Sequence, residues 1–245
     1  MTISDGTLLS SSHKYWRAGT NGGHRYATEE WLQRYADEIL SLIPHGGMLL
    51  DIGCGSCELS TYLASAFTKV YGIDISSSML SAAKNRISEL RVMNLELRQG
   101  STEQFPSDVG TVDAIFSYGV VQYLSLEDLV RHLEQCRRAL SQNGVVCVAN
   151  VPDETRRRSY YYGYLIPDRY RRLSMMRRWM ELTQRRIKGY LSHDLFWDGI
   201  GNWFRRSDIT RIADAAGFNV EFHDALYYDY RFHALLRPKP VPPRQ

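Results

Sequence analysis

No run of apolar residues in this 245-residue chain approaches the roughly 20 needed to span a bilayer. The opening stretch, Met1 to Trp16, has neither a basic segment nor an apolar one, so no secretory signal is expected. Cysteine is scarce. The four residues Cys54, Cys57, Cys136 and Cys147 are too few for a disulfide-stapled miniprotein and suit a reducing compartment, so a cytoplasmic location is expected. Internal repeats and low-complexity tracts are absent. A net charge of +3 is too mild to demand a nucleic-acid partner. With 44% hydrophobic and 23% charged residues, the chain is neither a disordered tail nor collagen-like. Its length suits one α/β domain with an elaboration.

What is present is an alternation. Thr28 to Ile43 reads as a helix, with Thr28 as N-cap, Glu29 and Glu30 in the first turn, and Trp31, Tyr35, Ile39 and Leu42 as an apolar stripe. Short apolar runs then alternate with helical periods. Strands are expected at Met48–Ile52, Lys69–Ile75, Leu95–Gln99, Val112–Tyr118 and Val145–Ala149. Helices are expected at Leu59–Phe67, Ser77–Leu90 and Ser125–Leu140, the last closed by Asn143-Gly144. After a break at Pro152, a helix from Ser207 to Ala216, capped by Ser207, leads to strands Val220–Leu226 and Tyr230–Leu236. These two are joined too tightly for a crossover and should pair antiparallel. The fold class is therefore α/β: a Rossmann-like, seven-stranded, mostly parallel sheet with an antiparallel last strand and helices on both faces.

The clearest chemical signal is Leu50-Asp51-Ile52-Gly53-Cys54-Gly55-Ser56-Cys57. A strand ends, the backbone turns on two glycines, and a helix begins. Glycine tolerates positive φ and close approach of a ligand, and the helix start offers free N–H groups. Asp74 follows at the end of the second strand, where a carboxylate can accept both hydroxyls of a ribose. The dinucleotide fingerprint needs a third glycine, and here Glu58 stands instead. That acid would repel a pyrophosphate, whereas Asp51 and Glu58 suit S-adenosylmethionine, which is cationic at sulfur and has no phosphate. Cys54 and Cys57 also form a C-x-x-C, which a redox protein could use, but Asp74 would then have no role.

These motifs resemble those of class I S-adenosylmethionine-dependent methyltransferases of the small-molecule type. The first motif departs at Cys57, where glycine is usual. Tyr71-Gly72-Ile73-Asp74-Ile75-Ser76, followed by Met79, is similar to the ribose motif, and the resemblance implies that Ile75 and Met79 flank the adenine. Gly100-Ser101-Thr102-Glu103 aligns with the third motif, with Ser101 in the place of an aspartate, so that Ser101, Thr102 or Glu103 supplies the adenine contact. Asp113 to Ser117 is similar to the fourth motif. The resemblance further implies that Tyr15 or Trp16 meets the methionine end and Arg25 its carboxylate. The cofactor contacts it implies are thus Tyr15, Arg25, Asp51, Gly53, Cys54, Gly55, Asp74, Ile75, Met79, Ser101, Thr102 and Ser117.

Charge is segregated. Pro152 to Arg206 holds 13 Lys/Arg and 6 Asp/Glu, a net of +7, against −4 for the remainder. In this fold an insertion after strand five covers the cofactor, so the segment is the expected acceptor lid. Arginine forks match carboxylates, and tyrosines stack on flat groups. Tyr118, Tyr160, Tyr161, Arg157 and Trp197 are the expected acceptor contacts. His193, beside Asp194, is the candidate base for an oxygen acceptor. No metal site can be assembled. The expected organisation is one methyltransferase domain over 1–245: a cap segment and helix (1–46), a cofactor half (47–151), a lid (152–206), and a last helix with two strands (207–237). The expected reaction is methylation, O-directed, of an anionic or aromatic small-molecule acceptor, with no membrane partner. An RNA or protein acceptor is the alternative, and a non-catalytic nucleoside-binding protein the third reading.

Overall fold

A computed structural model describes residues 28–162, 164–165, 175–192 and 200–240. Helix α1 (Glu29–Leu40) begins where the Thr28 hydroxyl accepts the Trp31 N–H at 3.3 Å. It ends before Leu42 and Ile43, two residues expected to be helical, as the chain approaches Pro44. Strands β1 (Met48–Ile52), β2 (Lys69–Asp74), β3 (Leu95–Gln99), β4 (Val112–Tyr118), β5 (Leu140–Pro152), β6 (Phe218–Asp224) and β7 (Arg231–Pro238) form one sheet in the order β3-β2-β1-β4-β5-β7-β6. Strand β7 runs antiparallel to both β5 and β6, and the other pairings are parallel.

Period-two alternation decides the two faces. Leu49, Val70, Ala114, Phe116 and Cys147 point to one side, where α1, α2 (Ser60–Leu63) and α3 (Ser77–Glu89) cover them. Leu50, Ile73, Ile115, Val146 and Phe232 point to the other. There, α4 (Leu126–Ala139) contributes Leu129 and Leu133, and α7 (Arg206–Ala215) contributes Ile209 and Ile212. Helix α4 starts on a reciprocal capping box: Ser125 accepts the Asp128 N–H while the Asp128 side chain accepts from Ser125.

Three further boundaries differ from expectation. Strand β5 starts at Leu140, which pairs with Val112, so Asn143-Gly144 lies within the strand's span instead of closing a helix. It also runs on past Ala149 to Pro152, because β7 pairs with it there across an irregularity between Val148 and Val151. Helix α7 is preceded by Arg205 with no side-chain cap, so Ser207 sits in the first turn and is not the N-cap.

The insertion contributes α5 (Arg157–Tyr161) and α6 (Met175–Ser192) and returns through Ile200 to Phe204. Its return is fastened to the sheet. Phe204 bridges to Asp153, and the Asn202 N–H donates to the Gln122 carbonyl at 2.7 Å. Gly201 has φ +85°, and a Cβ there would lie 2.5 Å from that same carbonyl, so the approach requires glycine. Arg206 pairs with Asp153 and Asp224.

Candidate active site

One cavity of about 330 Å³ opens at the carboxyl ends of β1, β2, β4 and β5. Its first half is the glycine turn. Gly53 and Gly55 have φ +71° and +55°, and a Cβ on Gly53 would lie 2.5 Å from Val120 Cγ2. The turn is tied to β2, because the Gly53 and Cys54 N–H groups both donate to the Ile73 carbonyl. Asp74 ties it again, with Oδ2 accepting the Gly55 N–H at 2.9 Å and Oδ1 the Ser76 N–H at 2.8 Å. The carboxylate, with about four lone-pair sites in all, keeps capacity for a ligand hydroxyl. Cys57 adopts φ +58° with its side chain fully buried, which explains why glycine is usual in a turn of this kind.

The acids here are held against their charge. Burial pushes Asp51 up to about 7; the Ser60 hydroxyl, donating at 2.5 Å, opposes the shift, and the charge of Asp74 adds to it. Burial raises Asp74 as well, against its backbone hydrogen bonds. Glu58 is raised by burial, with Arg86 opposing at 3.7 Å. Buried Asp51 and half-buried Asp74, both raised by burial, form a site that a cation would complete. At the adenine end expected from sequence, Ile75, Met79, Ser101 and Thr102 line the wall, and the Thr102 hydroxyl is buried without a partner. Ser101 Oγ accepts the Gln104 N–H at 3.1 Å, shaping the turn.

The second half lies over β4 and β5 and is ringed by Tyr118, Tyr123, Tyr228 and Tyr230, with Gln122, Asn150 and Arg231. Asn150 holds φ +62°, and its N–H donates to His233 Nδ1 at 3.2 Å. The other ring nitrogen of His233 donates to Glu38 at 3.1 Å.

The family comparison reports a model described as a methyltransferase domain, matching residues 49–144. That span runs from β1 through the glycine turn, Asp74 and β4 to the start of β5, which is the whole cofactor-side half of the cavity. This part of the chain is thus similar to a methyltransferase domain. Demethylmenaquinone methyltransferases of Bacillus mycoides and Bacillus cereus are 28% identical over 174 residues, covering 67% of this chain and 65% of the relative. The match thus spans just under two thirds of those relatives. Among solved structures, an S-adenosylmethionine-dependent methyltransferase from Clostridium acetobutylicum superimposes with a TM-score of 0.61 at 12% identity, covering 88% of this chain and 94% of that one. A magnesium protoporphyrin IX methyltransferase from Synechocystis with bound S-adenosylhomocysteine gives 0.56 at 19%, covering 84% and 82%. At these identities the likeness is one of fold.

In this chain, Asp51, Gly53, Cys54, Gly55, Asp74, Ile75, Met79, Ser101, Thr102 and Tyr118 meet at the cavity wall. Ser117 does not. Alternation on β4 turns Phe116 and Tyr118 to the cavity and buries Ser117 completely. Arg157 lies on the surface beside Glu154 at 3.5 Å. Tyr160 and Tyr161 pack behind the wall: Tyr160 sits 4.5 Å from Tyr230, and both contact Trp203. Tyr15, Arg25, His193 and Trp197 lie outside the described residues. No described lid side chain lines the cavity. Arg231, Gln122, Asn150, Tyr228 and Tyr230 were missed by sequence reasoning. The signal was a lone arginine opening an apolar strand, Arg231-Phe232-His233-Ala234-Leu235-Leu236. Among the described residues, no group of three metal-ligating side chains occurs, and no helix is long and apolar enough to cross a membrane.

Proposed function

We propose that the protein transfers a methyl group from S-adenosylmethionine to an oxygen of a small, flat acceptor that is anionic or aromatic. The observation that carries this reading is the pairing of two unlike half-cavities on one sheet edge. One is a glycine turn with acids that resist charge; the other is a tyrosine ring holding a cation. S-adenosylmethionine supplies an activated methyl carbon when bound. Asp74 then accepts the ribose hydroxyls, Asp51 faces the positive methionine end, and Ile75 and Met79 sandwich the adenine, with Ser101 and Thr102 at its edge. Tyr118 and its neighbours hold the acceptor in line and exclude water.

No histidine lines the cavity among the described residues. An acceptor oxygen already ionised near neutral pH fits such a site, because the protein then has no proton to remove. His193 is kept as the base for an acceptor that is not. The names of the relatives, demethylmenaquinone and magnesium protoporphyrin IX, denote small conjugated molecules and support a planar acceptor over an RNA or a protein. Four free thiols suit the cytoplasm. A metabolite-library screen for S-adenosylhomocysteine release tests the reading. Turnover of a carboxylate or phenol is the expected hit; turnover of RNA or protein alone would overturn it.

A further inference from the structure

The guanidinium of Arg231 is buried, with the residue 6% exposed, and it borders the acceptor half of the cavity. Its surroundings are neutral. Nη1 donates to Gln122 Oε1 at 2.7 Å and to the Asn150 carbonyl at 2.6 Å, the Tyr230 hydroxyl is a further neutral hydrogen-bond partner, and Nε has no partner. The Tyr230 ring lies 4.9 Å from the guanidinium carbon and the Tyr228 ring 5.9 Å. Among the described residues, no carboxylate stands within ion-pair distance of it. Glu38, the buried acid on that side, is taken by His233 and by the Leu226 N–H at 2.7 Å. A buried arginine nearly always has an anionic partner, because an isolated charge is costly to remove from water. Here the fold provides the cation and not the anion.

The position of Arg231 says what the anion belongs to. Arg231 opens β7 and pairs with Pro152 at the end of β5. Strands β4 and β5 separate β7 from β1, whose end carries the glycine turn. At a strand spacing of about 4.8 Å, that is three steps, or about 14 Å, away from the turn. The amide groups of Gln122 and Asn150 both approach Gly119, each with its nitrogen 3.8 Å from where a Gly119 Cβ would stand. Neutral groups thus surround the cation on the acceptor side, and no described arginine of the lid lines the cavity.

We infer that Arg231, held by Gln122 and the Asn150 carbonyl, is the anion subsite for the acceptor. It takes a carboxylate or an ionised ring oxygen and so selects anionic over neutral acceptors. This inference rests on the methyl-transfer reading above.

The test titrates benzoate and its neutral isostere benzamide into protein saturated with S-adenosylhomocysteine. Benzoate is expected to bind at least 10-fold more tightly than benzamide. Arg231→Met is expected to erase that preference while changing S-adenosylhomocysteine affinity less than 2-fold, and Arg231→Lys to keep part of it. Equal binding of the two probes, or an unchanged preference in Arg231→Met, overturns the subsite. So does loss of S-adenosylhomocysteine binding by a folded Arg231→Met, which assigns the cation to the cofactor's own carboxylate. Should Arg231→Met fail to fold, nitrogen-15 spectra of the unaltered protein decide. The Arg231 Nε–H signal should move with benzoate and not with benzamide, and a signal unmoved by either overturns the inference. If the unaltered protein does not bind S-adenosylhomocysteine at all, the methyl-transfer reading itself has failed.

Discussion

Asp74 accepts the Gly55 N–H at 2.9 Å, so the acid proposed to hold a ribose also fixes the turn that faces it. The same carboxylate is raised by burial, so its ionised form is not what stabilises the empty fold. Asp74→Asn is therefore expected to keep thermal stability within about 1 kcal/mol of the unaltered protein. It should still weaken S-adenosylmethionine binding about 10-fold. Thermal unfolding with and without ligand checks both parts, and a large loss of stability in the empty protein would refute this division of roles.

Asp51 gives a pH dependence with a definite sign. Its folded-state value, about 7, lies above the ordinary carboxyl value of 3.8. Between those values the folded state binds more protons than the unfolded one, so the stability of the empty protein falls as pH rises from about 4 to 7. Ligand binding runs the other way. Affinity for the cationic cofactor should rise between pH 6 and 7.5 as Asp51 ionises, and Asp51→Asn should flatten that rise. Calorimetric affinities across this window test it; an affinity that falls with pH contradicts it.

The thiols of the turn are sheltered. Cys54 is raised well above the usual range by its contact with Cys57 and by burial, and burial pushes Cys147 up to about 12. Alkylation of the native protein at pH 7.5 should thus be slow, with Cys54 reacting first because the other three are fully buried. Bound S-adenosylmethionine should slow it further, and protein modified at Cys54 should no longer bind the cofactor. Normal binding after modification would remove Cys54 from the cavity wall. Peptide mapping against reaction time provides the measurement.

Glu38 and His233 form a buried pair linking α1 to β7, and the His233 ring carries the Asn150 N–H. Removing the acid leaves His233 Nε2 and the Leu226 N–H without that acceptor. Glu38→Ala should cost about 3 kcal/mol in denaturant unfolding. A change below about 1 kcal/mol would show that the pair does not anchor β7.

Much of the fold was legible in sequence because apolar runs were sharply punctuated. Met48–Ile52, Leu95–Gln99 and Val112–Tyr118 are strands with the bounds that their flanking residues suggest. The glycine turn and Asp74 were legible for the same reason: their chemistry lies in local spacing. Strand β5 was read short because Asn150 and Pro152 look like breakers, and only pairing with β7 extends it. Ser117 was misplaced because a motif was followed where strand parity between Phe116 and Tyr118 would have turned it inward. Arg231 showed in sequence only as a lone arginine opening an apolar strand, and its role was hidden for a deeper reason. Its place comes from an antiparallel return that brings the start of the last strand beside the end of the fifth, and no local pattern encodes that meeting.

The central claim is that the glycine turn and Asp74 hold S-adenosylmethionine and no dinucleotide. Calorimetric titration of S-adenosylmethionine and of NAD, into the unaltered protein and into Asp74→Ala, tests it most directly. The account predicts one S-adenosylmethionine per chain, no measurable NAD binding, and at least 10-fold weaker S-adenosylmethionine binding in Asp74→Ala. No S-adenosylmethionine binding, or equal affinity in the two proteins, would contradict it.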